Sequence, residues 1–203
     1  MKKNLIILIS MISFMIIAPT FSNAQNELDK AALKEIKKKI KEYKKESWKL
    51  FGSTRTIESA LTDHYKKLSN GCREIAGFAS VSDSKHKNVL HQAAMANACA
   101  TYAGESRKVI GQTVSEMALT TEETAEFEKF AATYQTKVEK DIKSEMRESF
   151  AIIKEVSSSQ IDMQVFYIVK GNAAIKAFEE IMKNSKVAQK YAPQILEDLK
   201  ASL

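Results

Sequence analysis

Arg73-Glu74-Ile75-Ala76-Gly77-Phe78-Ala79-Ser80-Val81-Ser82 is the stretch on which the reading of this chain turns. Ile75, Gly77, Ala79 and Val81 alternate with Ala76, Phe78 and Ser80, which is the period of a strand. Gly77 and Ala79 leave room for another backbone to come close. Ser82-Asp83-Ser84 supplies turn and cap residues, and a helix is predicted from Lys85 to Met117. Its middle, Val89–Ala103, is small on nearly every side, with Ala93, Ala94, Ala96, Ala98, Ala100 and Ala103. Such a helix forms readily and suits tight packing on a sheet. Gly104 and Gly111 are the points where it could bend.

On the N-terminal side, Ile57, Ala60, Leu61, His64, Tyr65 and Leu68 share one face of a helix over Thr56–Ser69. Thr56 can cap its first turn, and Asn70-Gly71 can end it in the left-handed conformation. Glu46–Phe51 reads as a short extended piece carrying Trp48, the one tryptophan, which suits core better than an exposed binding role. Before it lies the most charged region. Leu33, Ile36, Ile40 and Tyr43 draw a narrow apolar stripe along a helix, and lysines cover most of the rest. Two readings compete: a basic helix lying on anionic lipid or polymer, or a solvated helix docked by its stripe. The narrow stripe favours docking. On that reading, residues 25–46 could be deleted with the remainder still folded.

On the C-terminal side, Thr120 and Glu123 form a capping box. The helix it starts, with Phe127, Phe130, Tyr134, Val138 and Ile142 on one face, is predicted to run to about Glu148 and fold back on its predecessor. Phe150–Val156 and Ile161–Lys170 have β character, joined by the polar Ser157-Ser158-Ser159-Gln160. That serine run reads as a turn, since no G-x-S-x-G accompanies it. Ala174, Ile175, Phe178, Ile181 and Met182 begin the last helices, with a break near Asn184 or Pro193. The expected fold is α+β and helix-rich, with a small mainly antiparallel sheet (strands near 47–51, 73–82, 150–156 and 161–170).

Residues 1–24 read as a secretory leader: Lys2 and Lys3, the apolar run Leu5–Ala18, then Ser22-Asn23-Ala24 before the cut. The expected organisation is thus a leader (1–24), a basic N-terminal helix (25–46) and one α+β domain with C-terminal helices (47–203). The residue after the cut is Gln25, so no cysteine is placed for lipid attachment. No later stretch is apolar enough to span a bilayer, and the mature protein is expected in the periplasm or secreted. The net charge of +6 falls to +4 with the two leader lysines. That is too small and too interspersed with acids to indicate nucleic acid.

Cys72 and Cys99 are the only cysteines. In an exported chain they most simply form one disulfide, the alternative being two buried thiols. A helix running back along the preceding strand would return Cys99 toward Cys72, and the bridge would contribute roughly 3–4 kcal/mol.

Trp48 before Gly52, the helix with Tyr65, the strand Ile75-Ala76-Gly77-Phe78-Ala79, the alanine-rich helix, the returning helix and the β-hairpin together resemble a group of exported bacterial envelope proteins. These are the twenty-kilodalton-lipoprotein family and the N-terminal domain of the flagellar T protein. The resemblance covers Glu46 to Phe178. It implies helices packed on a small sheet and no enzyme activity. The missing lipid-attachment cysteine and the Cys72/Cys99 pair depart from the pattern.

Function is not written in a motif. His86 and His91 are five apart and do not share a helix face, so no metal site or cofactor is expected. His64 on its apolar face reads as a hydrogen-bonded core histidine. The first reading is a non-enzymatic exported domain acting by contact with a protein or envelope component. Its contact surface is expected on the basic segment, at Lys37, Lys38, Lys41, Lys44 and Lys45. The alternative is an exported enzyme or small-ligand binder with a site assembled from His64, Asp63, Glu74 and His86. A third, a secreted antagonist or toxin-like effector, has no feature that would single it out.

Overall fold

A computed structural model describes residues 28–82, 86–157 and 160–202; the expected leader lies outside them. The chain runs α1 (Lys30–Lys45), β1 (Lys49–Phe51), α2 (Ile57–Ser69), β2 (Arg73–Val81), α3 (Lys87–Ser115), α4 (Thr121–Glu145), β3 (Met146–Glu155), β4 (Ile161–Val169), α5 (Ala173–Ile181), α6 (Lys186–Lys190) and α7 (Ala192–Ser202). The four strands form one antiparallel sheet in the order β1-β3-β4-β2. This is the expected helix-rich α+β fold.

Helices cover both sides of the sheet. Against one side lies α3, a single 29-residue helix that continues through Gly104 and Gly111. Gly77 explains how closely it docks: a Cβ there would fall 1.8 Å from the Ala94 carbonyl oxygen and 3.0 Å from the Ala98 Cβ. The small residues thus do what their spacing promised. α4 returns along α3, starting at the capping box of Thr120 and Glu123. α5 to α7 close this layer, with Phe178 edge-on to Phe130 and Tyr134. Ile161, Met163, Val165, Tyr167 and Val169 of β4 line this larger core.

On the opposite side α1 and α2 cover a smaller core of Ile36, Tyr43, Trp48, Leu61, Phe150, Ile152 and Phe166. Thr56 caps α2, and Gly71 takes φ +76 immediately after it. Trp48 is buried, as expected of a core residue. α1 docks by its stripe, but it also supplies Ile36 and Tyr43 to this core. α1 is therefore a structural layer as well, which bears on the expectation that residues 25–46 could be deleted with the remainder still folded.

One expectation is corrected. α4 stops at Glu145, and β3 begins at Met146. Met146-Arg147-Glu148 are drawn into the ladder because β4 extends to Val169 and offers them partners, Met146 opposite Val169 and Glu148 opposite Tyr167. A bulge between Glu148 and Phe150 then changes which alternate residues face each core. Arg55 donates to the Ser149 carbonyl there, at 3.2 Å.

The expected disulfide is not formed in this structure. Cys72 and Cys99 are free thiols. α3 does run back along β2, but Arg73 meets Tyr102 and Glu105, with its guanidinium 5.7 Å from the Tyr102 ring. Cys99 is one residue past Ala98, which faces Gly77. That step of about 100° around the helix turns its thiol toward the sheet interior, where Sγ lies 3.7 Å from the Met146 sulfur of β3. Cys72 lies just before β2, an edge strand of the sheet.

Candidate functional site

The expected contact surface lies on α1. A helix places successive side chains about 100° apart. Lys30, Lys34, Lys37, Lys38, Lys41, Lys44 and Lys45 therefore fall within about a third of its circumference, opposite Ile36 and Tyr43. Glu35, Glu42 and Glu46 fall together on one flank, outside that stripe. All seven lysines are exposed. Among the described residues, Lys38 to Glu35 at 3.9 Å is the one ion pair these lysines make. The expected residues Lys37, Lys38, Lys41, Lys44 and Lys45 all lie in the stripe.

Beneath α1 lies a buried polar cluster. His64 is fully buried, and its Nε2 lies 2.5 Å from Glu74 Oε2. Phe150 and Phe166 stand edge-on to the imidazole. Burial by itself would raise the Glu74 pKa. The hydrogen bond from His64 and the charge of Lys39 outweigh it and hold the carboxyl below the usual range. Lys39 is only 9 % exposed, and its ammonium lies 5.7 Å from the Phe166 ring and 6.0 Å from that of Tyr65. Tyr43 and Tyr65 close the cluster, their phenols pushed up first by burial; Glu74 and further neighbouring acids add to it. His64 Nδ1 is buried with no hydrogen-bond partner.

Of the four residues in the alternative reading, His64 and Glu74 meet. Asp63 pairs instead with Arg55 at 3.0 Å, and His86 sits at the exposed start of α3. Spacing placed no carboxylate beside His64, yet chain geometry could have found one. From His64 to Gly71 is about 10 Å of helix at 1.5 Å per residue. From Gly71 to Glu74 is about 10 Å of strand at 3.3 Å per residue. A helix folded back over its following strand therefore brings the two level. Lys39 carried no signal of its own among so many lysines.

A second pair was not anticipated: His91 of α3 meets Glu148 of β3 at 2.8 Å, with the Phe51 ring 6.1 Å from the imidazole. Neighbouring Tyr167 has a buried hydroxyl without a partner, and its phenol is pushed up by burial, Glu148 and Cys99. Among the described residues no three His, Cys, Asp or Glu converge as metal ligands, and no helix is long and apolar enough to cross a membrane. Compared with protein-family models, curated proteins and solved structures, the chain gives no match in any of the three.

Proposed function

We propose that this is an exported, non-enzymatic domain that acts by contact with an envelope component, through the basic face of α1. One observation carries the reading. The apolar side of α1 is consumed by the small core, while all its lysines but Lys39 are gathered outward and the acids set to one flank. A helix that only needed solubility gains as much from lysine and glutamate mixed around its polar face. Segregation by sign builds a field directed at a partner of opposite charge. The alternative, an enzyme or small-ligand binder, has fewer residues to stand on: His64 has no exposed surface, and Asp63 is turned to Arg55.

The test is crosslinking and capture from intact cells, with the protein compared to Lys37→Glu/Lys38→Glu/Lys41→Glu. The expected result is that capture of envelope material is lost in the variant. Equal capture by both proteins would count against α1 as the contact face.

A further inference from the structure

The partner's chemistry can be taken one step further, resting on the contact reading above: we propose that the basic face of α1 docks flat on an anionic lipid surface, at headgroup level and without insertion. The geometry of the stripe selects a plane. Lys30 to Lys45 spans about 22 Å at 1.5 Å per residue, and seven exposed lysines stand along that length. They come from one helix, whose outer side is convex. A ridge meets a plane along its whole length. A flexible polyanion is better held in a groove with two walls or on stacked aromatic rings, and the described part of this face offers neither.

The mode of attachment follows from where the apolar residues have gone. A membrane-surface helix sinks its apolar face below the headgroups. Here Ile36 and Tyr43 are in the protein core, and Leu33, 45 % exposed, is the large apolar side chain exposed on α1. Attachment is therefore electrostatic. Each lysine brought near an anionic leaflet strengthens binding roughly 5-fold, and the attraction fades within a Debye length, about 8 Å at physiological salt. Binding should be reversible and steeply salt-dependent.

The experiment is co-sedimentation of the exported protein with vesicles of phosphatidylcholine alone, or with a third of the lipid replaced by phosphatidylglycerol. Binding is expected only to the second kind, and it should be lost when salt is raised well above physiological. Lys37→Gln/Lys38→Gln/Lys41→Gln/Lys45→Gln should weaken it by roughly 100-fold or more, with an unchanged far-ultraviolet spectrum showing that the helix is intact. Equal binding to both vesicles would overturn the proposal, as would binding to a soluble polyanion with none to vesicles. If vesicles are not bound but envelope capture still depends on the α1 lysines, the lipid inference fails and the contact reading stands. If neither depends on them, both fail.

Discussion

On the α3 side of the sheet, the buried polar side chains among the described residues are hydroxyls: Ser106 donates to a carbonyl of its own helix, Thr113 lies 2.6 Å from the Asp198 carboxylate of α7, and the Tyr134 and Tyr167 hydroxyls have no hydrogen-bond partner. On the α1 side, a histidine and a lysine are buried, and a half-buried glutamate meets the histidine, in a core of a few large side chains. The first side is held by close contact, down to a backbone approach that only glycine permits. The second is smaller and carries charge. Buried charge is weak evidence for stability, so the second side should be the easier to loosen. It is also the side on which the proposed contact helix is mounted.

The largest effect should come from removing that helix. Deleting residues 25–46 takes Ile36 and Tyr43 out of the small core and uncovers Leu61, Phe150 and Phe166. At about 1.5–3 kcal/mol per buried side chain, the loss is of order 5 kcal/mol, comparable with the whole margin of a typical domain. The truncated protein should bind a hydrophobic dye and lose its cooperative urea transition. A normal transition would mean that the α3 side folds unaided.

Gly77→Ala probes the other side with a single methyl group. Its Cβ can be placed only if α3 moves off β2, because the obstacle is the Ala94 backbone and not a side chain that could swing away. The expected cost is about 3 kcal/mol, at the upper end for overpacking, read from urea denaturation. A cost under about 1 kcal/mol would show that the close approach is not what holds this side.

Glu74→Gln addresses the charge on the α1 side and should cost about 1–2 kcal/mol at neutral pH. The folded-state pKa of Glu74 is depressed. Its contribution is therefore fully present above the unfolded carboxyl value, near 4.5, and is lost as pH falls through the lower folded value. Glu123 and Glu126 are depressed as well, through their hydrogen bonds at helix starts. The informative quantity is thus the difference between the wild-type and variant stability curves. The part due to the Glu74 carboxyl should shrink as pH falls below 4.5. A difference that does not change with pH would mean that Glu74 acts by shape and not by charge.

What could be read from the chain divides along the same line. The alternation of Arg73–Val81, the small residues of α3 and the capping signals of Thr56 and Thr120 act over a few residues, and each appears in place. Met146-Arg147-Glu148 was misread because its helical pattern is intact and only a partner strand overrides it. The direction of the Cys99 thiol depends on how α3 is rotated against the sheet, which no local pattern gives, and Gly77 sets that rotation. The exposed lysines of α1 were legible, since the apolar stripe fixes the outer face. Lys39 differs from its neighbours only by lying on the inner side, next to Ile36 and Tyr43.

The smallest expected effect tests whether α1 really separates its two jobs. Lys37, Lys38, Lys41 and Lys45 are exposed, and of these only Lys38 has a charged partner among the described residues, at 3.9 Å. Changing all four to glutamine removes like-charge repulsion along the stripe, a gain of a few tenths of a kcal/mol per close pair. It also removes the favourable placement of Lys45 in the last turn, a loss of similar size. The sum should lie within about 1 kcal/mol of zero in urea. A much larger destabilisation would make the lysines part of the packing and tie any loss of binding to a loosened helix. A near-zero change with binding lost would assign the inner face of α1 to the fold and the outer face to the partner.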